Sequence, residues 1–228
     1  MATKILFVLV ISYLIGAIPV GYLIVRIFKG IDVRTVGSGR VGTTNTVRAA
    51  GPLAGIFTAI LDASKGIAVA AIAHAMMPAS IWMKVLAVVL AVVGQIFSIF
   101  LVERGENGRI RLRGGAGGAT TFGGVIALWP VAVLIILPLV LVVYLGIGYA
   151  SLTTISIAFF SLVIFFFNAL QGTGPWEYLF YGAATLFIVL YTLRPNLERL
   201  KNGTERAVGL RAFLQNRAER ALHSDQTK

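Results

Sequence analysis

The sequence predicts an all-α, polytopic integral membrane protein of about seven transmembrane helices, with the N-terminus outside and the C-terminus cytoplasmic. Three observations carry this. Of the 228 residues, 57% are hydrophobic and 13% charged, where a soluble domain carries about 25% charged residues. Several apolar runs reach the roughly 17–25 residues that cross a hydrocarbon core. Lys and Arg gather in a few loops and leave other loops bare, as expected where basic loops stay on the cytoplasmic side.

The first apolar run, 5–25, follows a single Lys4. It is long for a signal peptide and lacks a small-x-small exit, so it reads as a retained first helix. Further runs cover 53–77, 81–102, 152–169 and 176–193. The stretch 117–147 has 31 residues, about 46 Å as one helix, against a core about 30 Å thick. Trp129-Pro130 breaks it, because proline lacks the N–H that a helix interior needs. Two passes follow, about 114–129 and 131–147, the first of them short.

Charge sets the orientation. The 26–52 loop carries Arg26, Lys29, Arg34, Arg40 and Arg48 against Asp32, and the 103–113 loop carries Arg104, Arg109, Arg111 and Arg113 against Glu103 and Glu106. The tail from Arg194 onward holds eight Lys/Arg, whereas the loops near 78–81 and 170–175 hold none. Placing all three basic regions inside requires an odd number of spans, hence seven. The chain divides into one membrane domain, 1–205, and a basic cytoplasmic tail, 206–228. Loops 26–52 and 103–116, the turn at 147–151 and the stretch 194–206 then converge on the cytoplasmic face.

This topology accounts for the net charge of +11 without a nucleic-acid partner. The chain has no cysteine, which excludes disulfide and thiolate chemistry. His74 and His223 stand far apart, and no cluster has metal-ligand spacing; no metal, cofactor or required protein partner is expected. The tail segment 206–223 sets Leu210, Phe213, Leu214 and Leu222 near helical spacing between arginines. It reads either as an amphipathic helix on anionic lipid or as a solvated tail helix. No internal repeat is evident, which weighs against an inverted-repeat transporter.

The segment Gly37-Ser-Gly39-Arg-Val-Gly42 has the spacing of a dinucleotide fingerprint. That fingerprint needs a strand before it and a βαβ unit around it; here apolar helices flank it, and Asp62 falls inside the next one. As loop chemistry it points to phosphate. Gly37, Gly39 and Gly42 let backbone N–H groups turn toward an anion. Ser38, Thr43 and Thr44 offer hydroxyls, Asn45 could cap a helix from Thr46, and Arg48 could pair with phosphate through two N–H groups. The plainer alternative is a flexible basic loop.

A second glycine loop, Arg113-Gly114-Gly115-Ala116-Gly-Gly-Ala-Thr120-Thr121, opens the following helix. It suits an anion nest and equally the close packing of membrane helices through small residues. Asp62 and Lys65 share one helix face and either neutralise each other or serve the site, since charges inside a membrane usually face a polar interior. Asn196, Arg199 and Glu205 follow the last run and would be unremarkable alone.

Taken together, these motifs resemble the bacterial acyl-phosphate:glycerol-3-phosphate acyltransferase family (PlsY). The resemblance runs from Tyr13-Leu-Ile-Gly-Ala-Ile-Pro19-Val-Gly-Tyr22, through Asp32–Asn45 with Arg48 and Gly51, then Asp62-Ala-Ser-Lys65-Gly66. It continues through Gly94-Gln95-Ile-Phe97-Ser98-Ile-Phe100, Arg113–Thr120 and Ser151-Leu152, to Asn196-Leu-Glu-Arg199-Leu200 and Gly203-Thr204-Glu205. It implies a seven-helix enzyme of the bacterial inner membrane with a cytoplasmic active face. Such an enzyme moves an acyl group from acyl phosphate to the 1-hydroxyl of glycerol 3-phosphate, releasing lysophosphatidate and phosphate for phospholipid synthesis. It implies Ser38, Arg48, Ser151 and Asn196 as catalytic residues. Gly37, Gly39, Gly42, Asn45, Arg113, Gly114, Gly115 and Thr120 would bind substrate phosphate, supported by Arg40, Asp62, Lys65 and Glu205. A non-catalytic relative that binds lipid phosphates or regulates a partner is the alternative, and a transporter a third.

The sequence departs from the family pattern at several points. Gln95 stands for the usual His, Ser98 for Pro, Ala116 for Lys, Arg40 for Asn, Gly148 for Arg and Leu193 for His. The segment between Phe100 and Arg113 is also longer. Positive charge is lost at 116 and 148, and Arg40, Arg109 and Arg111 are the candidates to restore it.

Overall fold

The structure is a computed structural model that describes residues 1–104, 108 and 110–225, with side chains at 216 and 219–225 excepted; Arg109 and the Leu222 side chain fall outside the described residues. The first apolar run is two helices, α1 (Ala2–Ala17) and α2 (Val20–Lys29), and not the single helix expected over 5–25. Pro19 causes the break. The residue before a proline avoids the α region, and Ile18 is extended, with φ −54° and ψ 119°. The carbonyls freed at the end of α1 are claimed by neighbours. Lys65 Nζ donates to Gly16 O at 3.3 Å and Ile18 O at 2.5 Å, and Ser98 Oγ donates to Ala17 O at 2.5 Å.

After a 3-10 turn at Val33–Thr35 come α3 (Thr43–Ala50) and α4 (Pro52–Met76). Helix α5 (Ile81–Ile96) starts at Ser80, whose side chain accepts from Met83 N–H. It stops short of the expected 102. The next residues fold into a hairpin that the sequence reading took for a loop, β1 (Val102–Arg104) paired antiparallel with β2 (Ile110–Leu112).

The stretch 117–147 breaks at Trp129-Pro130 as expected. Helix α6 (Gly118–Leu128) ends there, and a 3-10 turn at Pro130–Ala132 leads into α7 (Val133–Val142), which runs through a π turn to Ile147. With 11 residues, α6 is about 16 Å long, half the thickness of a hydrocarbon core. Helices α8 (Ala150–Leu170) and α9 (Glu177–Lys201) form a hairpin, with Pro195 inside α9, and α10 (Gly209–Asp225) closes the described chain.

Small residues bring the helices into backbone contact, the usual device where lipid offers no hydrophobic drive between helices. A Cβ added at Gly16 would lie 2.2 Å from Ala91 O, and one at Gly94 2.3 Å from Tyr13 O, which locks α1 on α5. Gly66 and Gly123 do the same between α4 and α6. Val69, Val85, Val88, Val125, Phe165 and Tyr181 fill the centre. Large apolar side chains such as Leu53, Phe57, Leu134 and Phe187 are exposed on the outside, the reverse of a soluble surface. Four described helical stretches, Ala2–Lys29, Pro52–Met76, Pro130–Ile147 and Ala150–Leu170, are long and apolar enough to cross a membrane.

Candidate active site

The first glycine loop is built around Asn45. Its Nδ2 donates to Val33 O, Val36 O and Arg40 O at 2.8–3.0 Å, and its Oδ1 accepts from Ser38 N–H at 3.3 Å. Helix α3 begins at Thr43 with Gly42 as its N-cap. Asn45 therefore does not cap a helix from Thr46; it lies buried in the first turn and stitches the loop. Gly37 has φ +57°, and a Cβ there would meet Asn45 Oδ1 at 2.2 Å, so both the turn and the asparagine require glycine.

This loop borders a cleft of about 690 Å³. Three helices start at its wall: α3 with Thr43 and Thr44, α6 with Gly118 and Ala119, α8 with Ala150 and Ser151. None of the three has a side-chain cap, their N-caps being Gly42, Gly117 and Tyr149. The first N–H groups of each helix thus lack an intrahelical partner, and the positive end of each macrodipole faces the cleft. Arginines add net charge: Arg40, Arg48, Arg199 and Arg206 line the same end.

Hydrogen bonds order that end. Arg40 Nη2 donates to Thr192 O at 2.7 Å and Asn196 Oδ1 at 3.2 Å. Asn196 Nδ2 donates to Glu205 Oε1 at 2.9 Å, and Arg199 Nε to Glu205 Oε2 at 3.1 Å. Arg48 Nη2 reaches Ala207 O at 3.4 Å. Burial, and next the Arg199 charge, push the Arg40 guanidinium below the usual arginine range; burial and then Arg206 do the same to Arg48. Among the described residues neither has a carboxylate within salt-bridge distance, so both are cations that an incoming anion would stabilise. Ser151 is 2% exposed and its Oγ has no partner among the described residues. Away from this end the wall is apolar, with Ile60, Phe122, Leu137, Val140, Leu141 and Ile157.

Among the expected site residues, Ser38, Arg48, Ser151, Asn196, Gly37, Gly42, Asn45, Arg40, Asp62 and Glu205 line the cleft. Gly39, Arg113, Gly114, Gly115, Thr120 and Lys65 do not. Arg113 Nη1 pairs with Glu103 at 2.9 Å, in a chain of ion pairs with Arg34 and Asp32. Gly114 and Gly115 pack on backbone: added Cβ atoms would lie 2.2 Å from Gln95 O and 2.7 Å from Val41 O. Thr120 is buried and donates to Asp62 O at 3.0 Å. Lys65 pairs with Asp62 at 2.8 Å, Gln95 Nε2 donates to Asp62 Oδ2 at 2.9 Å, and Lys65 Nζ also donates to Gln95 Oε1. Gln95 thus joins the two charges, and it lines the cleft together with Asp62 while Lys65 sits behind them. The expectation missed Gly117 and Gly118 as the start of α6, and it passed over Arg206; the glycine pair was visible within the second loop, whereas nothing in the tail marked Arg206.

Comparison with known proteins agrees with this geometry. The family described as glycerol-3-phosphate acyltransferase matches residues 6–203. Glycerol-3-phosphate acyltransferase 2 of Moorella thermoacetica is 36% identical over 209 residues, covering 91% of this chain and 99% of that protein. The glycerol-3-phosphate acyltransferase of Thermotoga petrophila is 39% identical over 211 residues, covering 88% and 95%. The crystal structure of PlsY, an integral membrane glycerol 3-phosphate acyltransferase, is similar in its glycerol 3-phosphate form with a TM-score of 0.78 and 32% identity, over 92% of this chain and 98% of that one. Its lysophosphatidic acid form gives 0.76 and 31%, with the same coverage. The chain belongs to the glycerol-3-phosphate acyltransferase family.

Proposed function

We propose that the chain transfers an acyl group from acyl phosphate to the 1-hydroxyl of glycerol 3-phosphate. The products are 1-acylglycerol 3-phosphate and inorganic phosphate. One observation carries this reading: three uncapped helix N-termini and the arginines Arg40, Arg48 and Arg206 share the polar end of an otherwise apolar cleft. Both substrates carry phosphate, and one carries a long apolar tail. The polar end suits the phosphates, and the wall from Leu137 to Ile157 suits the tail.

Acyl phosphate is a mixed anhydride, so its carbonyl is already activated and phosphate is a stabilised leaving group. Holding the two substrates together and neutralising their charge supplies much of the rate. The attacking hydroxyl loses a proton as its oxygen bonds to the carbonyl carbon and the bond from that carbon to the phosphate oxygen breaks. Among the described residues lining the cleft there is no histidine. Asp62 is held by Lys65 and Gln95, and Glu205 by Asn196 and Arg199. An oxygen of the departing phosphate is the base left to take the proton. Ser38, Arg48, Ser151 and Asn196 bind and orient the phosphates; Arg40 supplies charge where Ala116 and Gly148 lack it.

The assay is transfer by the purified chain in proteoliposomes, with acyl phosphate, acyl-CoA and acyl carrier protein offered in turn. Product from acyl phosphate is expected; product from a thioester alone rejects the donor. Binding of glycerol 3-phosphate without product from any donor indicates a non-catalytic relative. Solute flux without turnover indicates a transporter. Rescue of a strain lacking the acyl-phosphate-dependent enzyme should fail with Arg48→Ala and weaken with Ser38→Ala.

We also propose seven spans, the N-terminus outside and the cleft facing the cytoplasm of a bacterial inner membrane, with 1–205 as the membrane acyltransferase domain and 206–228 as a basic tail whose first residue, Arg206, reaches the cleft. The basic loops support this orientation. Because the chain has no cysteine, Gly172→Cys and Asn202→Cys give single labelling sites. An impermeant thiol reagent added outside intact cells should label the first and spare the second.

A further inference from the structure

The family match ends at residue 203, yet the chain beyond it returns to the cleft. Ala207 bridges Tyr149 antiparallel, and Val208 N–H donates to Gly148 O at 2.9 Å. Helix α10 starts at Gly209, and its first turn carries Arg211 back to the same place. The Arg211 guanidinium carbon lies 4.6 Å from the Tyr149 ring centre, and Nη1 donates to Ile147 O at 3.5 Å. Ile147 ends the π turn, where carbonyls lack intrahelical partners and a cation is favoured. Gly148 makes the approach possible: it has φ +74°, and a Cβ there would stand 2.5 Å from Arg211 Cβ.

Tyr149 is also the N-cap of α8, and its carbonyl accepts from both Thr153 N–H and Thr153 Oγ1 at 3.0 and 2.9 Å. Ser151 follows two residues later, its unpartnered Oγ at the cleft wall. We infer that Arg211 is a positioning residue for this reaction: by holding the Ile147 carbonyl and the Tyr149 ring it fixes the turn that presents Ser151. This rests on reading the cleft as the acyl-transfer site. At an exposed site a cation over a tyrosine ring contributes about two- to fivefold in an equilibrium, and Arg211 is not among the residues lining the cleft, so its effect passes through the turn.

The test uses the full-length chain in proteoliposomes, with Arg211→Ala, Arg211→Lys, Ser151→Ala and, on the exposed side of α10, Arg217→Ala. Loss of uniform binding appears in KM with kcat kept. Arg211→Ala is expected to raise KM about fivefold for glycerol 3-phosphate or acyl phosphate, whichever phosphate Ser151 meets, with kcat within about twofold. Arg211→Lys should recover most of the loss, and Arg217→Ala should match the parent. Hydrogen exchange of the amides at 148–153 should quicken in Arg211→Ala alone. Unchanged kinetics in Arg211→Ala beside an impaired Ser151→Ala would overturn the inference, as would a parallel fall in every parameter with a lower melting temperature. If the parent chain transfers no acyl group, the reading of the cleft fails, and exchange at 148–153 still decides whether Arg211 holds the turn.

Discussion

The loops at 37–42 and 113–118 look alike in sequence and differ in what they do. Each is rich in glycine, carries an arginine and opens a helix. In the first, Gly37 bends the chain so that Ser38 and the start of α3 face the cleft. In the second, Gly114 and Gly115 are spent on backbone packing against Gln95 and Val41, and Arg113 turns to Glu103. Its contribution to the cleft begins at the next residue, Ala116, and runs into the uncapped start of α6. Glycine permits a close approach; whether the approaching partner is an anion or a neighbouring helix depends on where the next helix begins.

Substitutions can break this contrast. Arg48→Ala should have the largest effect, lowering kcat/KM about 100-fold or more, because a charge-assisted contact to phosphate is lost in the transition state; steady-state transfer at varied glycerol 3-phosphate measures it. Gly114→Ala should act on the fold instead. Overpacking against the Gln95 carbonyl costs about 1–3 kcal/mol, read as a lower melting temperature in detergent, while the folded fraction keeps its KM. Arg113→Ala comes next: its partly exposed pair with Glu103 contributes about 0–1 kcal/mol, and kinetics should stay within about twofold. A large KM increase in Arg113→Ala would return the second loop to the phosphate site and erase the distinction.

The smallest effect concerns pH. Hydrogen bonding to Arg34 holds the Asp32 carboxyl below its ordinary value of 3.8. The folded value is depressed, so its stabilisation is complete above 3.8 and is lost as pH falls through the lower folded value. The melting temperature of Asp32→Asn should therefore lie slightly below that of the parent at neutral pH and converge with it in acid.

Much of this was legible in the sequence for physical reasons. Apolar run length and the Trp129-Pro130 break place most helices, because hydrocarbon imposes length and proline lacks a donor. The Ile18-Pro19 break was hidden inside a run that stays apolar on both sides, and it depends on Lys65 and Ser98 arriving from distant helices to satisfy the freed carbonyls. The hairpin at 102–112 has strands of three residues each, too short for alternation to declare them. Ser38 and Arg48 stand out in the sequence as residue types beside the first glycine loop, whereas Ser151 and Asn196 are singled out only by the family resemblance. The inward burial of Thr120 and the stitching role of Asn45 depend on contacts between elements, which spacing does not encode. Arg199 lacked any local signal; its meaning comes from Glu205, six residues away and folded back on it.

The three helix N-termini have one more consequence. Backbone dipoles and guanidinium groups recognise a phosphate dianion and are indifferent to what it is attached to. On the proposed reading, the reaction releases such a dianion into the place where glycerol 3-phosphate must dock. Inorganic phosphate is then a competitor of its own making, and turnover slows as it accumulates. Cellular phosphate level would become a brake on membrane lipid output.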